Sequence, residues 1–359
     1  MNNEEIHVNR DVSHFRLSSG GPWCRMKGKP GLRMLIGVLL VLSARGFSQG
    51  YDDTFEMRNK LKVELQYADY GEYEYPEPIV YRYGVHDYMQ NYPYIVNFPE
   101  KRALTKFTRI IGKTTAASVK YQFSELREGI NQHLGEIKLT KNMGSKFIGL
   151  ISGQMINDTR KFNAYQPGLG FQWQMNPLTI VQGDAQYYFR GKDAEPVGGK
   201  MKAVNARIKI RQVLTVSTAL LVEYVFYNAD GETLQFRSHN ASIWISQFLP
   251  TQSAVHVNLR YYNNSMGIRS LAPSVEFAQY LNWATVVRIK YRHYANQSDN
   301  VSLGEKDVIV PDNLKSNSIS VQLNREMSSD LELYGIYRYY KSNLHVQMNT
   351  YLVGAVLGF

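Results

Sequence analysis

The feature that most constrains this chain is a repeated alternation of apolar and polar residues. Ile319, Val321 and Leu323 alternate with serine, glutamine and asparagine, and segments 117–123 and 255–261 show the same pattern. Successive side chains of a strand point to opposite faces, so each segment has one apolar and one polar face. The alternation therefore predicts an all-β fold.

The lengths of these segments and of their connections favour a membrane barrel over a tyrosine-rich soluble sandwich, which is the alternative. Soluble strands average about 5–6 residues, whereas a tilted strand needs about 9–11 to cross a membrane, as these segments do. Short turns such as 142–144 and 328–330 alternate with longer polar loops such as 191–200 and 295–315. This rhythm predicts a transmembrane antiparallel up-and-down β-barrel with short periplasmic turns and long outer loops.

The alternation predicts fourteen strands, and sixteen are an alternative. Two earlier segments decide between these counts: 60–67 alternates clearly, whereas 102–111 alternates poorly. If both are strands, 68–101 is a long tyrosine-rich outer loop; otherwise 49–101 is a periplasmic arm or a plug. The fourteen predicted strands are 115–124, 131–141, 145–156, 163–174, 178–190, 199–210, 213–226, 233–246, 251–263, 268–279, 283–294, 315–325, 329–341 and 346–359.

Aromatic clusters end alternate strands just before the long loops, and the chain contains 26 tyrosines. Tyrosine suits a position that is apolar on one side and wet on the other. We therefore expect these clusters to form the outer half of an aromatic girdle; they are Tyr121/Phe123, Tyr187–Phe189, Tyr224/Phe226/Tyr227, Tyr261/Tyr262, Tyr291/Tyr294 and Tyr337/Tyr339/Tyr340.

The N-terminus predicts export. Lys27, Lys29 and Arg33 precede an apolar run over 34–44, and small residues follow at Gly46 and Ser48. A basic region, an apolar stretch of about 7–15 residues and a small-x-small site describe a signal peptide, whereas a spanning helix needs roughly 20 apolar residues. We expect residues 1–48 to be removed as an extension and signal peptide. Residues 49–101 are then a tyrosine-rich N-terminal segment with a first strand plus a loop or plug, and 102–359 form the barrel.

The only cysteine, Cys24, lies in the stretch that we expect to be removed. The remaining chain therefore has neither the thiols of a disulfide or thiolate metal site nor a haem-attachment motif. No Gly-rich phosphate loop or metalloprotease helix motif occurs either, and we expect no cofactor and no metal. Asp299, Glu305, Asp307 and Asp312 in the 295–315 loop are the alternative, as calcium ligands, but their spacing is irregular.

The last strand carries a resemblance to a known class. One apolar face ends the chain, formed by Tyr351, Val353, Ala355, Leu357 and Phe359. A final strand that ends on an aromatic residue resembles that of Gram-negative outer-membrane β-barrel proteins, porin-like in this case and without one specific family. The resemblance implies recognition by the barrel-assembly machinery through Gly354, Leu357 and Phe359, although Leu352 stands where that pattern is usually polar. It also implies residence in the bacterial outer membrane, in contact with lipid and lipopolysaccharide.

Polar strand positions are expected to face the lumen, because a charge on the lipid face at mid-membrane costs roughly 2–4 kcal/mol. The predicted pore-lining residues are Lys120, Lys138, Asp184, Arg207, Lys209, Arg211, Glu223, Arg260, Glu276, Arg288, Lys290 and Arg292. Glu136, Glu332 and Arg338 follow the same rule, which gives ten basic against five acidic positions.

A passive, porin-like channel for small solutes, with a preference for anions, is the leading functional hypothesis. The net charge of +10 comes from scattered residues and does not indicate nucleic-acid binding. Strands that end in tyrosine also resemble the barrel subunits of porin–cytochrome conduits, so the alternative is a sheath barrel that anchors or encloses a partner, such as a separate cytochrome or another periplasmic protein. An outer-membrane hydrolase is a remote alternative, because His239 and Ser242 are an odd number of residues apart and point to opposite faces.

Overall fold

The computed structural model describes residues 55, 57–70, 99–126, 130–159, 163–190, 201–231, 235–265, 267–298, 302–303, 306–307, 314–343 and 347–359. The predicted signal peptide lies outside the described residues, and so does most of the predicted loop 68–101, namely 71–98. So do the candidate calcium ligands Asp299, Glu305 and Asp312. Among the described residues, no helix is long and apolar enough to cross a membrane.

Sixteen antiparallel strands form one closed barrel in which each strand pairs with its neighbours in the chain, and the first pairs with the last. A two-stranded hairpin, β14 Ser302–Leu303 and β15 Lys306–Asp307, lies in the connection after β13. The barrel strands are β1 Lys60–Tyr70, β2 Pro99–Ile111, β3 Thr115–Leu126, β4 Ile130–Asn142, β5 Phe147–Asp158, β6 Asn163–Asn176, β7 Thr179–Arg190, β8 Met201–Val213, β9 Thr218–Gly231, β10 Gln235–Leu249, β11 Ser253–Asn264, β12 Ile268–Asn282, β13 Thr285–Ser298, β16 Lys315–Glu326, β17 Leu331–Ser342 and β18 Gln347–Gly358.

The strand count is therefore sixteen, and the leading prediction of fourteen is wrong. The two added strands are β1 and β2. Strand β2 was hard to recognise because its inner positions mix Leu104 with Lys106 and its outer positions include Thr105 and Arg109. Strand β2 pairs with β1 on one side and with β3 on the other. This pairing defines it as a strand, although it has no uniformly apolar face.

Each of the fourteen predicted strands corresponds to a strand of the barrel. The largest displacement is at β9, which begins at Thr218 rather than at 213. Residues 214–217 instead form a tight turn, in which the Leu214 amide donates to the Thr218 carbonyl at 2.9 Å and the Thr215 and Thr218 hydroxyls lie 2.9 Å apart.

The barrel closes along a seam between β18 and β1, paired from Lys60↔Gly358 to Tyr70↔Met348. The Tyr334 ring on β17 covers Gly354 on β18, and the Tyr334 hydroxyl donates 2.6 Å to Glu64 Oε1 on β1. On the outer face, the terminal Phe359 stacks on Phe107 of β2 with ring centroids 5.7 Å apart. Side chains therefore connect β17, β18 and β1 on the inner face of the barrel. On the outer face they connect the end of the chain to β2.

The outer face of the barrel is apolar and exposed. Leu169 and Ile137 are 63% and 62% exposed, and similar large apolar side chains recur on the outer positions of the other strands. Soluble proteins rarely expose apolar surface of this extent, whereas lipid accommodates it. The polar partners in the alternation, including Ser118, Gln122 and Ser274, are buried on the inner face.

The aromatic clusters divide between the two faces, which corrects the expectation that they all belong to the girdle. Tyr121 and Tyr224 point outward, and each hydroxyl lies 2.7 Å from a histidine Nδ1 on the next strand, His133 and His239 respectively. Alternate residues of the same clusters point inward and are buried, because side chains alternate along a strand. These inner tyrosines are Tyr188, Tyr227, Tyr262, Tyr294 and Tyr340.

Candidate functional site

The inner wall of the barrel is the candidate site. Strand alternation places all twelve predicted pore-lining residues, together with Glu136, Glu332 and Arg338, on the face opposite the exposed apolar residues. One inner cavity of about 510 Å³ is lined by five of these residues, Arg260, Lys290, Arg292, Arg338 and Glu332.

One part of this wall is balanced by ion pairs between neighbouring strands. Arg207 Nε donates to Asp184 Oδ1 at 2.7 Å, and Lys209 Nζ lies 3.2 Å from Glu223 Oε2. Glu136 lies between two lysines, with its carboxylate oxygens 3.3 Å from Lys138 Nζ and 3.8 Å from Lys120 Nζ. These pairs span β3, β4, β7, β8 and β9, where four paired cations face three carboxylates.

A second charged group lies on β11, β12 and β13. Glu276 is 2% exposed, and its Oε1 lies 4.0 Å from Arg288 Nε. His256 Nδ1 lies 2.7 Å from the Ser246 hydroxyl on the adjacent strand. Register places Glu276 directly between His256 and Lys290. The Lys290 ammonium also lies 4.9 Å from the ring centroid of Trp244, a cation–π contact inside the lumen.

The other wall has an excess of positive charge. Seven cations line the 510 Å³ cavity against two carboxylates, Glu64 and Glu332. The Glu64 carboxylate lies 3.1 Å from Lys62 Nζ, and Glu332 Oε1 accepts a hydrogen bond of 2.7 Å from Asn324. The seven cations are Arg58, Lys60, Lys62, Arg260, Lys290, Arg292 and Arg338.

An N-terminal residue lies inside the barrel. Phe55 is 7% exposed, and its ring would lie 3.4 Å from a Cβ on Gly170, an inward-facing residue of β6. Phe55, five residues before the start of β1, therefore reaches the wall five strands away. Arg58 of the same short segment lines the inner cavity.

The candidate hydrolase pair, His239 and Ser242, is not assembled in the barrel. His239 faces outward beside Tyr224, while Ser242 is buried on the inner face, so the two do not form a nucleophile–base pair. Within the described ranges, no group of three or more His, Cys, Asp or Glu residues is placed to hold a metal ion.

Several further inner residues lie on β1 and β2, the two strands whose existence the alternation left open. Lys60, Lys62 and Glu64 on β1 line the cavity, and Arg102 and Lys106 on β2 follow the same alternation. The clear alternation of 60–67 was the signal that could have identified the first three. A row of three hydroxyl groups, Ser316, Ser318 and Ser320, lines the same cavity as the cations, and strand alternation alone does not indicate that proximity.

Solved barrels resemble this structure in fold. A bacterial polysaccharide outer membrane secretin matches with a TM-score of 0.58 and 8% identity, covering 84% of this chain and 98% of that chain. CdiB from Acinetobacter baumannii matches with a TM-score of 0.56 and 8% identity, covering 84% of this chain and 60% of that chain. OprD from Pseudomonas aeruginosa has a TM-score of 0.48 and 7% identity, covering 84% of this chain and 95% of that chain.

No protein-family model matches this chain, and no curated protein matches its sequence. At the low identities of the solved barrels, the likeness shows the fold alone. That fold, together with the exposed apolar outer face, is the closed β-barrel of bacterial outer-membrane proteins, and the outer membrane is where the chain resides.

Proposed function

We propose that this chain spans the outer membrane as a passive channel for small solutes and prefers anions. The observation that carries the proposal is the contrast between the two faces of the barrel. The outer face exposes large apolar side chains, while the inner face carries charged groups around a cavity of about 510 Å³. A barrel that is apolar outside and polar inside suits an aqueous passage through lipid.

The sign of the charge supports the preference for anions. Seven cations and two carboxylates line the cavity, so the local potential is positive. Charged walls in a confined passage set the sign of the ions that accumulate there, and rings of Arg or Lys favour anions. Salt weakens this effect, because the Debye length is about 8 Å at physiological ionic strength.

The test is the reversal potential of the purified barrel in a planar bilayer under a salt gradient. We expect anion selectivity in the wild type and a shift toward cations in the Arg292→Glu/Arg338→Glu variant. A matched control, Lys101→Glu/Lys113→Glu, reverses two charges outside the cavity and should give a smaller shift. Cation selectivity in the wild type, or equal shifts in both variants, would contradict the preference for anions.

A sheath barrel that anchors or encloses a partner, such as a separate cytochrome, is the second candidate. The observation in its favour is Phe55, whose buried ring lies near Gly170 on the inner wall. A folded barrel that conducts no ions in the bilayer experiment, even after removal of the residues before Lys60, would favour the sheath over the channel.

The end of the chain supports a partner for assembly. Leu357 and Phe359 are exposed on the outer face, 44% and 59% respectively, next to the seam where the barrel closes. We propose that they, together with Gly354, are recognised by the barrel-assembly machinery before closure. Lipid and lipopolysaccharide then cover the outer face.

A further inference from the structure

Three arginines of the cation-rich wall share one environment. Each of Arg260, Arg292 and Arg338 has small uncharged residues as its register partners on both neighbouring strands. Arg260 pairs with Ser242 and Ala272, Arg292 with Ser274 and Ser318, and Arg338 with Ser320 and Thr350. By contrast, Lys120, Arg207 and Lys209 each have an acidic register partner. We call Arg260, Arg292 and Arg338 the arginine row.

The arginine row runs diagonally across the wall in equal steps. Arg260 pairs with Ala272 and Arg292 with Ser274, so the first step crosses two strand spacings and shifts two residues along β12. The second step is the same, because Arg292 pairs with Ser318 and Arg338 with Ser320 on β16. Two strand spacings and a two-residue shift give about 12 Å between successive Cα atoms.

One guanidinium group of the row, that of Arg260, retains donor capacity. Nη1 of Arg260 is buried and has no hydrogen-bond partner among the described residues, and the charges that act on Arg338 include two cations, Lys290 and Arg102. Lys290 interacts electrostatically with all three arginines and with one acidic neighbour, Glu276, so cations outnumber carboxylates around it. A buried donor without a partner and a cluster of like charges are both costly unless an anion is bound.

Hydroxyl groups complete the surface. Ser274, Ser318 and Ser320, the register partners of the row on β12 and β16, line the same cavity as the arginines. A serine hydroxyl can donate to an anionic oxygen, and a guanidinium can donate two parallel hydrogen bonds to a carboxylate or phosphate. Guanidinium groups, which carry charge, therefore alternate along this wall with serine hydroxyls, which can donate further hydrogen bonds.

We propose that the arginine row is a binding site for a small soluble compound that carries two or more carboxylate or phosphate groups. The compound spans neighbouring arginines, with each anionic group on one guanidinium and its adjacent serine hydroxyl. A single anionic group would contact only one arginine and would bind more weakly. This inference deepens the proposed function by naming the class of solute that the lumen takes.

Isothermal titration calorimetry on the folded barrel in detergent tests the site without requiring conduction. The probes are citrate and pyrophosphate as multiply charged anions and acetate as a single carboxylate. We expect the wild type to bind citrate or pyrophosphate at least about tenfold more tightly than acetate, because loss of one charge-assisted contact changes affinity by about that factor or more. Arg292→Gln and Arg338→Gln should each weaken binding by about tenfold or more.

The matched control is Lys101→Gln, which removes one positive charge outside the cavity, where Lys101 Nζ lies 3.0 Å from Glu125. It should leave the affinity nearly unchanged. Failure of the wild type to bind either citrate or pyrophosphate, or equal losses in Lys101→Gln and Arg338→Gln, would overturn the site. Binding without conductance would contradict the proposed channel and support the binding site. Anion conductance without binding would support the channel and contradict the binding site.

Discussion

The ring of Tyr334 covers the backbone of Gly354 on the neighbouring strand, and a Cβ at position 354 would overlap that ring. The tyrosine hydroxyl continues past the glycine to donate a hydrogen bond of 2.6 Å to Glu64 on β1. A glycine in the last strand thus allows one side chain to join β17 to β1 across the closing strand. The sequence pattern at the C-terminus marked Gly354 but not this contact.

We expect Gly354→Ala to destabilise the folded barrel by about 1–3 kcal/mol, the usual cost of forcing extra volume into a packed site. The added methyl group displaces Tyr334 and weakens its hydrogen bond to Glu64. The measurement is the temperature at which the barrel loses its folded, heat-modifiable gel migration. Gly335→Ala is the control, because the nearest atom to a Cβ there is at 3.9 Å. Equal melting temperatures for the two variants would show that the ring moves aside without cost.

Deletion of Phe359 should reduce the amount of folded barrel in the outer membrane, because it removes the aromatic end of the last strand. It also removes the stacking on Phe107. Phe107→Ala separates the two effects, since it abolishes the stacking but keeps the terminal residue. Membrane fractionation and heat-modifiable migration should show normal amounts of folded Phe107→Ala and reduced amounts of the deletion variant. Similar losses in both would assign the effect to packing rather than to recognition.

The ion pair between Arg207 and Asp184 should control both stability and selectivity. Asp184→Asn leaves the Arg207 guanidinium without its 2.7 Å carboxylate partner, at a cost of about 1.5–3 kcal/mol for a hydrogen bond to a charged group. The released positive charge should also shift the reversal potential toward stronger anion selectivity. Adding Arg207→Gln should restore the original selectivity, and an unchanged reversal potential in Asp184→Asn would mean that solutes do not pass this wall.

Phe55 should obstruct the lumen. Phe55→Ala removes the ring that lies against Gly170, so we expect a higher single-channel conductance and larger current fluctuations. Phe55→Leu keeps an apolar side chain of similar reach and should conduct like the wild type. Unchanged conductance in Phe55→Ala would indicate that the segment before β1 leaves the passage open.

Much of the architecture follows from local sequence because a strand has a period of two. The alternation at 316–324 or 255–261 fixes both the strand and the faces on which its side chains lie, with no knowledge of the partners. The same rule assigned Arg260 and Arg292 to the inner face. It was insufficient for β2, where Leu104 and Arg109 interrupt the pattern, and the pairing partners on both sides decided the outcome.

The tertiary structure alone decided which charges meet. Sequence placed Arg207 and Arg292 on the inner face in the same way, yet register sets Arg207 opposite Asp184 and Arg292 opposite Ser274 and Ser318. Cross-strand neighbours depend on the relative shift of two strands, and a strand's own alternation contains no information about that shift. For this reason the chain by itself determined a barrel with a charged interior, whereas the register of its strands determined that cations are paired with carboxylates on one wall and are in large excess on the other.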